Sequence, residues 1–172
     1  MRKILQSNFF HRDALVVAPE LVGKIIVRKL DNDTILRERI SETEVYRGEE
    51  DKACHASKGK TKRTKILYGE SGRIYVYLCY GIHWLMNIVT GEKESPQCVL
   101  IRCGEIHNGP AKLTKYLQID GSFNDQKIYE NSHIWIEDDG FQPELRTAPR
   151  VGIDYAGDDW RNIAWRYIAE KQ

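Results

Sequence analysis

The sequence predicts an α+β fold, a single mixed domain over residues 1–172 that is built on a curved antiparallel β-sheet with short flanking helices. Three observations support this prediction. A chain of 172 residues is long enough for one hydrophobic core and too short for two sizeable ones. Segments rich in β-branched and aromatic residues dominate the middle of the chain, whereas the helical segments are short. No internal repeat interrupts this pattern.

A helix is expected over residues 14–22, near the start of the chain. Asp13 suits its N-cap, Pro19 suits the first turn of its regular part, and Gly23 ends it. The other helical segments are expected over residues 49–57 and from Gly109-Pro110 to about Leu117.

The remaining regular structure is predicted to be β-strands. Two turns join neighbouring strands into hairpins, at Asp31-Asn32-Asp33 and at Tyr80-Gly81-Ile82-His83. The predicted strands cover residues 24–30, 34–46, 73–79, 84–90, 97–103, 132–137 and 165–168.

The charge is balanced overall but segregated along the chain. The 26 Lys and Arg residues exceed the 25 Asp and Glu residues by one, so any surface for nucleic acid must be local. An acidic segment comprises Glu42, Glu44, Glu49, Glu50 and Asp51. A basic run follows in the polar loop over residues 58–72, where phosphate contacts are expected from Lys58, Lys60, Lys62, Arg63 and Lys65.

The four cysteines, Cys54, Cys79, Cys98 and Cys103, show no C-x-x-C spacing. We therefore expect reduced, mostly buried thiols, with no metal and no cofactor. The basic N-terminus lacks the apolar region of a signal peptide, and no segment approaches the length of a membrane span. A cytoplasmic or nucleoid-associated protein that binds no membrane is expected.

Two strands place polar and aromatic side chains on shared faces. Side chains two residues apart point to the same side of a strand, so Glu42, Glu44 and Tyr46 share one side. Tyr75 and Tyr77 likewise share a side, opposite a predicted core side that consists of Ile74, Val76 and Leu78. Each group also has a purely structural explanation. The first would be the solvent-exposed face of a strand, and the two tyrosines of the second would pack against a neighbouring strand. The functional interpretation is a general base beside aromatic rings.

His55 and Tyr80 complete the set of candidates. His55 lies between the acidic segment and the basic run, and Tyr80 lies at a hairpin turn, where an exposed ring suits base stacking. Alone, either residue would more often be structural. Together, a carboxylate, the candidate tyrosines, a histidine and a basic run within residues 42–80 fit an enzyme that flips a base out of a duplex.

Six motifs then follow one another along nearly the whole chain. They are E-T-E-V-Y-R-G, E-D-K-A-C-H, G-R-I-Y-V-Y-L-C-Y-G-I-H-W-L-M-N-I-V, C-V-L-I-R, G-P-A-K-L and A-P-R-V-G-I-D-Y-A-G. Their order and spacing, from about Phe9 to Ile168, resemble those of the alkyladenine (3-methyladenine) DNA glycosylase family. The resemblance implies a monofunctional enzyme that binds damaged double-stranded DNA and flips out an alkylated or deaminated purine, of the 3-methyladenine, 7-methylguanine and hypoxanthine class. Such an enzyme would then hydrolyse the N-glycosidic bond and leave an abasic site. We expect it to act as a monomer.

The resemblance also implies a role for each candidate residue. Glu44 would activate the water and Arg102 would help to hold it. Asn87 would lie at the pocket floor, facing the 2-position of the purine, and Tyr80 would fill the gap left in the duplex. The walls of the base pocket would be formed by Tyr46, His55, Tyr75 and Tyr77.

Three other functions stay open on the sequence alone. Glu42 and Glu44 would suit the acid and base of a sugar glycoside hydrolase, although the neighbouring basic run argues against it. A non-catalytic nucleic-acid-binding module would use the same tyrosines and basic run. A metal enzyme is the weakest alternative, because Cys54 and His55 lack partners at ligand spacing.

Overall fold

The computed structural model describes residues 2–129 and 133–170, and it confirms the α+β prediction. The described residues form one open antiparallel sheet of nine strands and four short α-helices. The strands are β1 Lys3–Ile4, β2 Ile25–Lys29, β3 Ile35–Arg47, β4 Ile74–Cys79, β5 His83–Val89, β6 Gln97–Gly104, β7 Ile134–Asp138, β8 Leu145–Ala148 and β9 Arg166–Ala169. The α-helices are α1 Ser7–Phe10, α2 Ala14–Leu21, α3 Pro110–Tyr116 and α4 Asp158–Arg161.

Strand β3 organises the sheet. The main strand order is β1-β7-β2-β3-β6-β5-β4, and β9 pairs with both β3 and β8. With 13 residues, β3 is long enough to pair with β2 through its first part and with β6 through its second part. Over Glu42–Glu44 it is bonded on both sides, to β6 and to β9. Side chains of this stretch are therefore held by backbone pairing on both flanks.

The main hydrophobic core lies on one face of this sheet, and a smaller cluster packs with Tyr46 and Tyr77 on the other face. Helix α2 packs on β3 and β6, and helix α3 packs on β5 and β6. Thr43 and Val45 point towards α2: both are fully buried, and the Thr43 hydroxyl donates to the Ala18 carbonyl at 2.9 Å. Because side chains alternate along a strand, Glu44 and Tyr46 lie on the opposite face.

Two predictions about helices need correction. Pro19 lies inside helix α2 rather than in its first turn. The buried face of α2 outweighs the missing proline N–H, since tertiary packing supplies most of the stability of so short a helix. The predicted helix over residues 49–57 is wrong, since the structure has bends and turns there, followed by a 3₁₀ helix over His55–Lys58. The buried carboxylate of Asp51 accepts the Arg47 and Ala53 N–H groups, and these bonds replace helical ones.

The other differences concern short elements and ends. Leu78, predicted to be in the core, is 41% exposed, because the end of the β4–β5 hairpin extends beyond the core. A 3₁₀ helix over Thr64–Tyr68 interrupts the predicted loop. The α-helices α1 and α4, the strands β1 and β8, and the 3₁₀ helices Gly121–Phe123 and Asp154–Ala156 were not predicted, because segments of two to four residues carry no periodicity. Ser132, expected to begin a strand, lies outside the described residues.

Candidate active site

A cavity of about 700 Å³ opens on the face of β3 opposite α2. Its size suits a small organic ligand such as a purine base. The structure brings most of the candidate residues to it, including Glu44, Tyr46, His55, Lys58, Arg63, Tyr75, Tyr77, Tyr80, Asn87 and Arg102. Residues more than 50 positions apart in the sequence thus share one site.

Glu44 is the carboxylate of this cavity. It is 1% exposed, and three groups hold it. The Val151 N–H donates to Oε1 at 3.0 Å, the Tyr46 hydroxyl donates to Oε2 at 2.8 Å, and Arg102 Nε lies 3.1 Å from Oε1. Burial raises the pKa of Glu44, while the Val151 N–H, the Tyr46 hydroxyl, Arg102 and Arg166 oppose that rise. A carboxylate whose pKa is raised is a stronger base, which suits general-base catalysis.

Glu42 has a different environment from Glu44. Its Oε2 lies 3.2 Å from Arg102 Nη1 and 3.4 Å from Arg166 Nε. Among the described residues that line the cavity, Glu42 is absent. The arrangement therefore offers no support for Glu42 and Glu44 as the paired acid and base of a sugar hydrolase, because only Glu44 faces the space where a substrate would lie.

Aromatic rings form the opposite wall of the cavity. The His55 and Tyr77 rings meet edge to face at 4.7 Å, and Tyr75 lies 5.4 Å from Tyr77. The Tyr75 hydroxyl is hydrogen-bonded to His55 Nδ1 at 2.8 Å. Burial, together with the nearby Arg63 and Lys58, lowers the pKa of His55 to about 4. The imidazole is therefore uncharged at neutral pH.

A buried ion pair packs against the Tyr46 ring. Arg150 and Asp51 have fully buried side chains and are joined at 2.6 and 3.0 Å. The Arg150 guanidinium lies over the rings of Tyr46 and Trp165, at 4.9 and 5.2 Å from their centroids. It also donates to the Val45 carbonyl at 2.9 Å. This pair fixes the loop that carries the Val151 N–H against the end of β3.

The sequence interpretation had missed this pair. Asp51 was grouped with an acidic segment, and no role was assigned to Arg150. The two side chains are 99 positions apart, so no local pattern connects them. Both fall within the recognised motifs, E-D-K-A-C-H and A-P-R-V-G-I-D-Y-A-G, and that was the available signal.

Asn87 lies at the base of the cavity, on β5 between β4 and β6. Its Nδ2 donates to the Tyr75 carbonyl at 3.2 Å, and its Oδ1 accepts a weak bond from the Cys98 thiol at 3.8 Å. These contacts fix the orientation of the amide. Asn87 thus satisfies a buried backbone group and also presents its side chain to the cavity.

Tyr80 lies at the tip of the β4–β5 hairpin and is 90% exposed. Its φ angle of 51° and that of Gly81, 71°, place both residues in the left-handed region. The Ile82 N–H donates to the Cys79 carbonyl at 3.1 Å and closes the turn. A tyrosine costs conformational energy in this region, and such strain is concentrated at functional sites.

In the structure, some residues of the basic run line the cavity and others do not. Lys58 and Arg63 line the cavity, and the Arg63 guanidinium lies 5.3 Å from the centre of the Tyr77 ring. Lys60 is paired with Glu94, at 2.7 and 2.9 Å. Two exposed members of the run do not line the cavity formed by the described residues, Lys62 and Lys65. The structure adds Lys52, an exposed cation on the cavity wall that was not a candidate.

The cysteines are free, as predicted, and Cys54, Cys98 and Cys103 are buried. Over residues 2–129 and 133–170, no three His, Cys, Asp or Glu side chains are grouped so that they could hold a metal ion. No helix in the described part of the chain combines the length and the apolar character needed to cross a membrane.

Comparison with known proteins gives consistent matches over nearly the whole chain. A family model described as methylpurine-DNA glycosylase matches residues 8–108 and 103–172. A protein of Psychrobacter cryohalolentis with the provisional name 3-methyladenine DNA glycosylase is 45% identical, covering 90% of this chain and 87% of the relative. Relatives with the same provisional name come from Borreliella afzelii, 40% identical with 96% of both chains covered, and from Natranaerobius thermophilus, 36% identical with 95% and 93% covered.

Proposed function

Because the chain belongs to the methylpurine-DNA glycosylase family, we propose that it excises alkylated and deaminated purines from double-stranded DNA with a water molecule activated by Glu44. The expected substrates are 3-methyladenine, 7-methylguanine and hypoxanthine. The observation that carries the proposal is a buried, triply held carboxylate in a cavity with aromatic walls. The protein acts as a monomer in this proposal.

Glu44 has two tasks in the reaction. Cleavage of a purine N-glycosidic bond develops positive charge on the sugar, which a nearby carboxylate stabilises. The same carboxylate takes the proton of the attacking water. Arg102 forms an ion pair with Glu44 through Nε and donates through Nη1 to Glu42 and to the Cys103 sulfur, while its Nη2 has no hydrogen-bonding partner in the described part of the chain. That N–H group is available to hold the water.

The aromatic walls select the base. Tyr46 stacks on one face of the flipped purine, and His55 and Tyr77 cover the other, with Tyr75 supporting them. A purine alkylated at a ring nitrogen is cationic, so it is attracted to the faces of tyrosine rings. Because the pKa of His55 is lowered to about 4, the imidazole does not repel such a cation at neutral pH.

Cations at the cavity mouth contact the DNA backbone. Lys58 and Arg63 keep this role from the basic run, and Lys52 joins them because it lines the same cavity. Lys60 contributes less, since Glu94 neutralises it. Lys62 and Lys65 are exposed and contact more distant phosphates. Such contacts give salt-dependent affinity without sequence preference.

Duplexes that each carry one defined lesion test the proposal directly. We expect release of the damaged base and an abasic site in an uncut strand, with no loss of activity in excess chelator; the undamaged duplex is the control. Borohydride should trap no covalent adduct, because water is the nucleophile. Lys52 and Lys58 are amines on the cavity wall, so a trapped adduct would refute the water mechanism and identify a lysine nucleophile.

Replacement of Tyr80 tests the proposed wedge at the hairpin tip. Tyr80→Ala should lose more activity on a well-paired lesion than on a mismatched or single-stranded one, by roughly tenfold, because flipping costs a few kcal/mol only where the base is stacked and paired. Single-turnover excision rates on the three substrates measure the effect. Ile106→Ala, which removes another strongly exposed apolar side chain, is the control. An equal loss on all three substrates would make Tyr80 a packing residue.

A further inference from the structure

We infer that Glu42 is a positioning residue, which holds the Arg102 guanidinium beside Glu44 and leaves an N–H group of Arg102 for the water. This inference rests on the proposed role of Glu44. Glu42 lies outside the cavity wall, yet its carboxylate bonds to Arg102 Nη1 at 3.2 Å. It therefore acts on the reaction through Arg102.

The backbone explains why Arg102 needs such a partner. Glu42 pairs with Cys103 and Thr43 pairs with Ile101, so Arg102 is an extra residue of β6 in an irregular register. An extra residue of this kind re-aims its side chain, and such bulges are common near active sites. Alternation from Leu100, the partner of Glu44, places the Arg102 side chain on the face of Glu44, whereas the irregular register leaves Arg102 itself without a paired residue on β3.

The charges form an alternating series, Arg166–Glu42–Arg102–Glu44. The successive closest distances are 3.4 Å, 3.2 Å and 3.1 Å. The side chains of Glu42, Arg102 and Arg166 are 15–19% exposed, so water screens them only partly. The negative charges of the two carboxylates balance the positive charges of the two guanidiniums, and the Glu42 carboxylate interacts with both cations.

Loss of the charge on Glu42 would change how Arg102 meets Glu44. Without a carboxylate at Nη1, the guanidinium can turn its Nε and Nη2 edge onto Glu44, because two parallel bonds to one carboxylate are its strongest arrangement. Both N–H groups would then be used by Glu44. The water would lose its donor, and Glu44 would become a weaker base.

The groups around both carboxylates determine the direction of the pH effect. Glu44 faces the Tyr46 hydroxyl on β3, Arg102 on β6, Arg166 on β9 and the Val151 N–H. Glu42 faces Arg102 and Arg166, with the Cys103 thiol of β6 nearby. Burial raises the pKa of Glu44 and the two arginines lower it. Removing the Glu42 carboxylate leaves both cations to Glu44, so the pKa of Glu44 should be lower than in the wild type.

The test uses excision rates as a function of pH. On a duplex with 7-methylguanine, whose cationic leaving base needs no protonation, Glu42→Gln should lower the plateau rate roughly tenfold, as expected for the loss of one charge-assisted hydrogen bond. The midpoint of the acid limb should move to lower pH. Binding of the damaged duplex and the melting temperature should stay near wild type. Glu20→Gln, which removes the exposed partner of Arg12, is the matched control.

Arg166→Gln gives a second variant with the opposite sign. This substitution removes a cation that lowers the pKa of Glu44, and Arg102 becomes the remaining cation beside Glu42 among the described residues. The midpoint of the acid limb should therefore move to higher pH. This variant decides the question if Glu42→Gln does not fold. A Glu42→Gln protein with the wild-type midpoint, or an Arg166→Gln midpoint that moves to lower pH, would overturn the inference.

Three further outcomes separate this inference from the proposed function. An inactive Glu44→Gln protein beside a fully wild-type Glu42→Gln protein would refute the inference and leave the proposed function intact. An active Glu44→Gln protein would refute the proposed function itself. Equal and complete loss in both carboxylate variants would indicate a paired acid and base, and would also refute a positioning role for Glu42.

Discussion

Glu44→Gln is expected to abolish base excision, with a loss of about 10³-fold or more, while damaged DNA still binds. The amide keeps the size of the carboxylate but cannot take a proton from water or stabilise a positive sugar. The wall residue that bonds to Glu44 is Tyr46, and its hydroxyl can accept a hydrogen bond from the Gln side-chain amide instead. Single-turnover excision and equilibrium binding to the same lesion duplex measure the two properties separately.

The comparison with Glu42→Gln makes this result specific. Both carboxylates contact Arg102, so both substitutions disturb the same arginine, and only Glu44→Gln removes the general base. Glu42→Gln should therefore retain substantial activity. If Glu44→Gln loses DNA binding together with excision, the cavity has collapsed, and the loss of activity no longer assigns Glu44 as the base.

Asn87→Ala is expected to extend excision to ordinary guanine. Guanine carries an amino group at the purine 2-position, where hypoxanthine and adenine carry hydrogen. The Asn87 amide is fixed by the Tyr75 carbonyl and the Cys98 thiol, so it cannot easily move away from that group. A misfit of this kind costs a few kcal/mol, and its removal should raise guanine release by about 10²-fold.

The measurement is the identity of the base released from duplexes that contain guanine, mismatched guanine or hypoxanthine. Activity on hypoxanthine should persist in Asn87→Ala. Asn162→Ala replaces an exposed asparagine of the turn after α4 and is the control. A parallel loss on every substrate with a lower melting temperature would instead show that Asn87 serves the fold, through its bond to the Tyr75 carbonyl.

The alternation of side chains was enough to predict the two faces that form the cavity. Strand geometry places every second side chain on one side, so E-T-E-V-Y and Y-V-Y predicted that Glu44 and Tyr46, and Tyr75 and Tyr77, share faces. The same local logic placed Asp13 as the cap of α2 and Pro110 at the start of α3, and the structure confirms both. The family resemblance added the positions of Asn87 and Arg102.

The charged residues could not be interpreted in this way. The acidic segment suggests an exposed patch, but Glu44 and Asp51 are buried. The cation that neutralises Asp51 is Arg150, 99 positions away. Lys60 has Glu94 as its partner, from a separate loop. Neither Arg150 nor Glu94 can be identified as a partner from a short segment of sequence.

The sequence by itself determined the strand faces and the start signals of helices α2 and α3, because each depends on the geometry of a few consecutive residues. The tertiary structure decided which charges are neutralised and which stay available for chemistry. Chain topology brings Arg102 and Arg166 to Glu42 from two different strands and brings the Val151 N–H to Glu44 from a distant loop. The energy of a charge depends on burial and on its nearest partners, and the folded chain alone sets both.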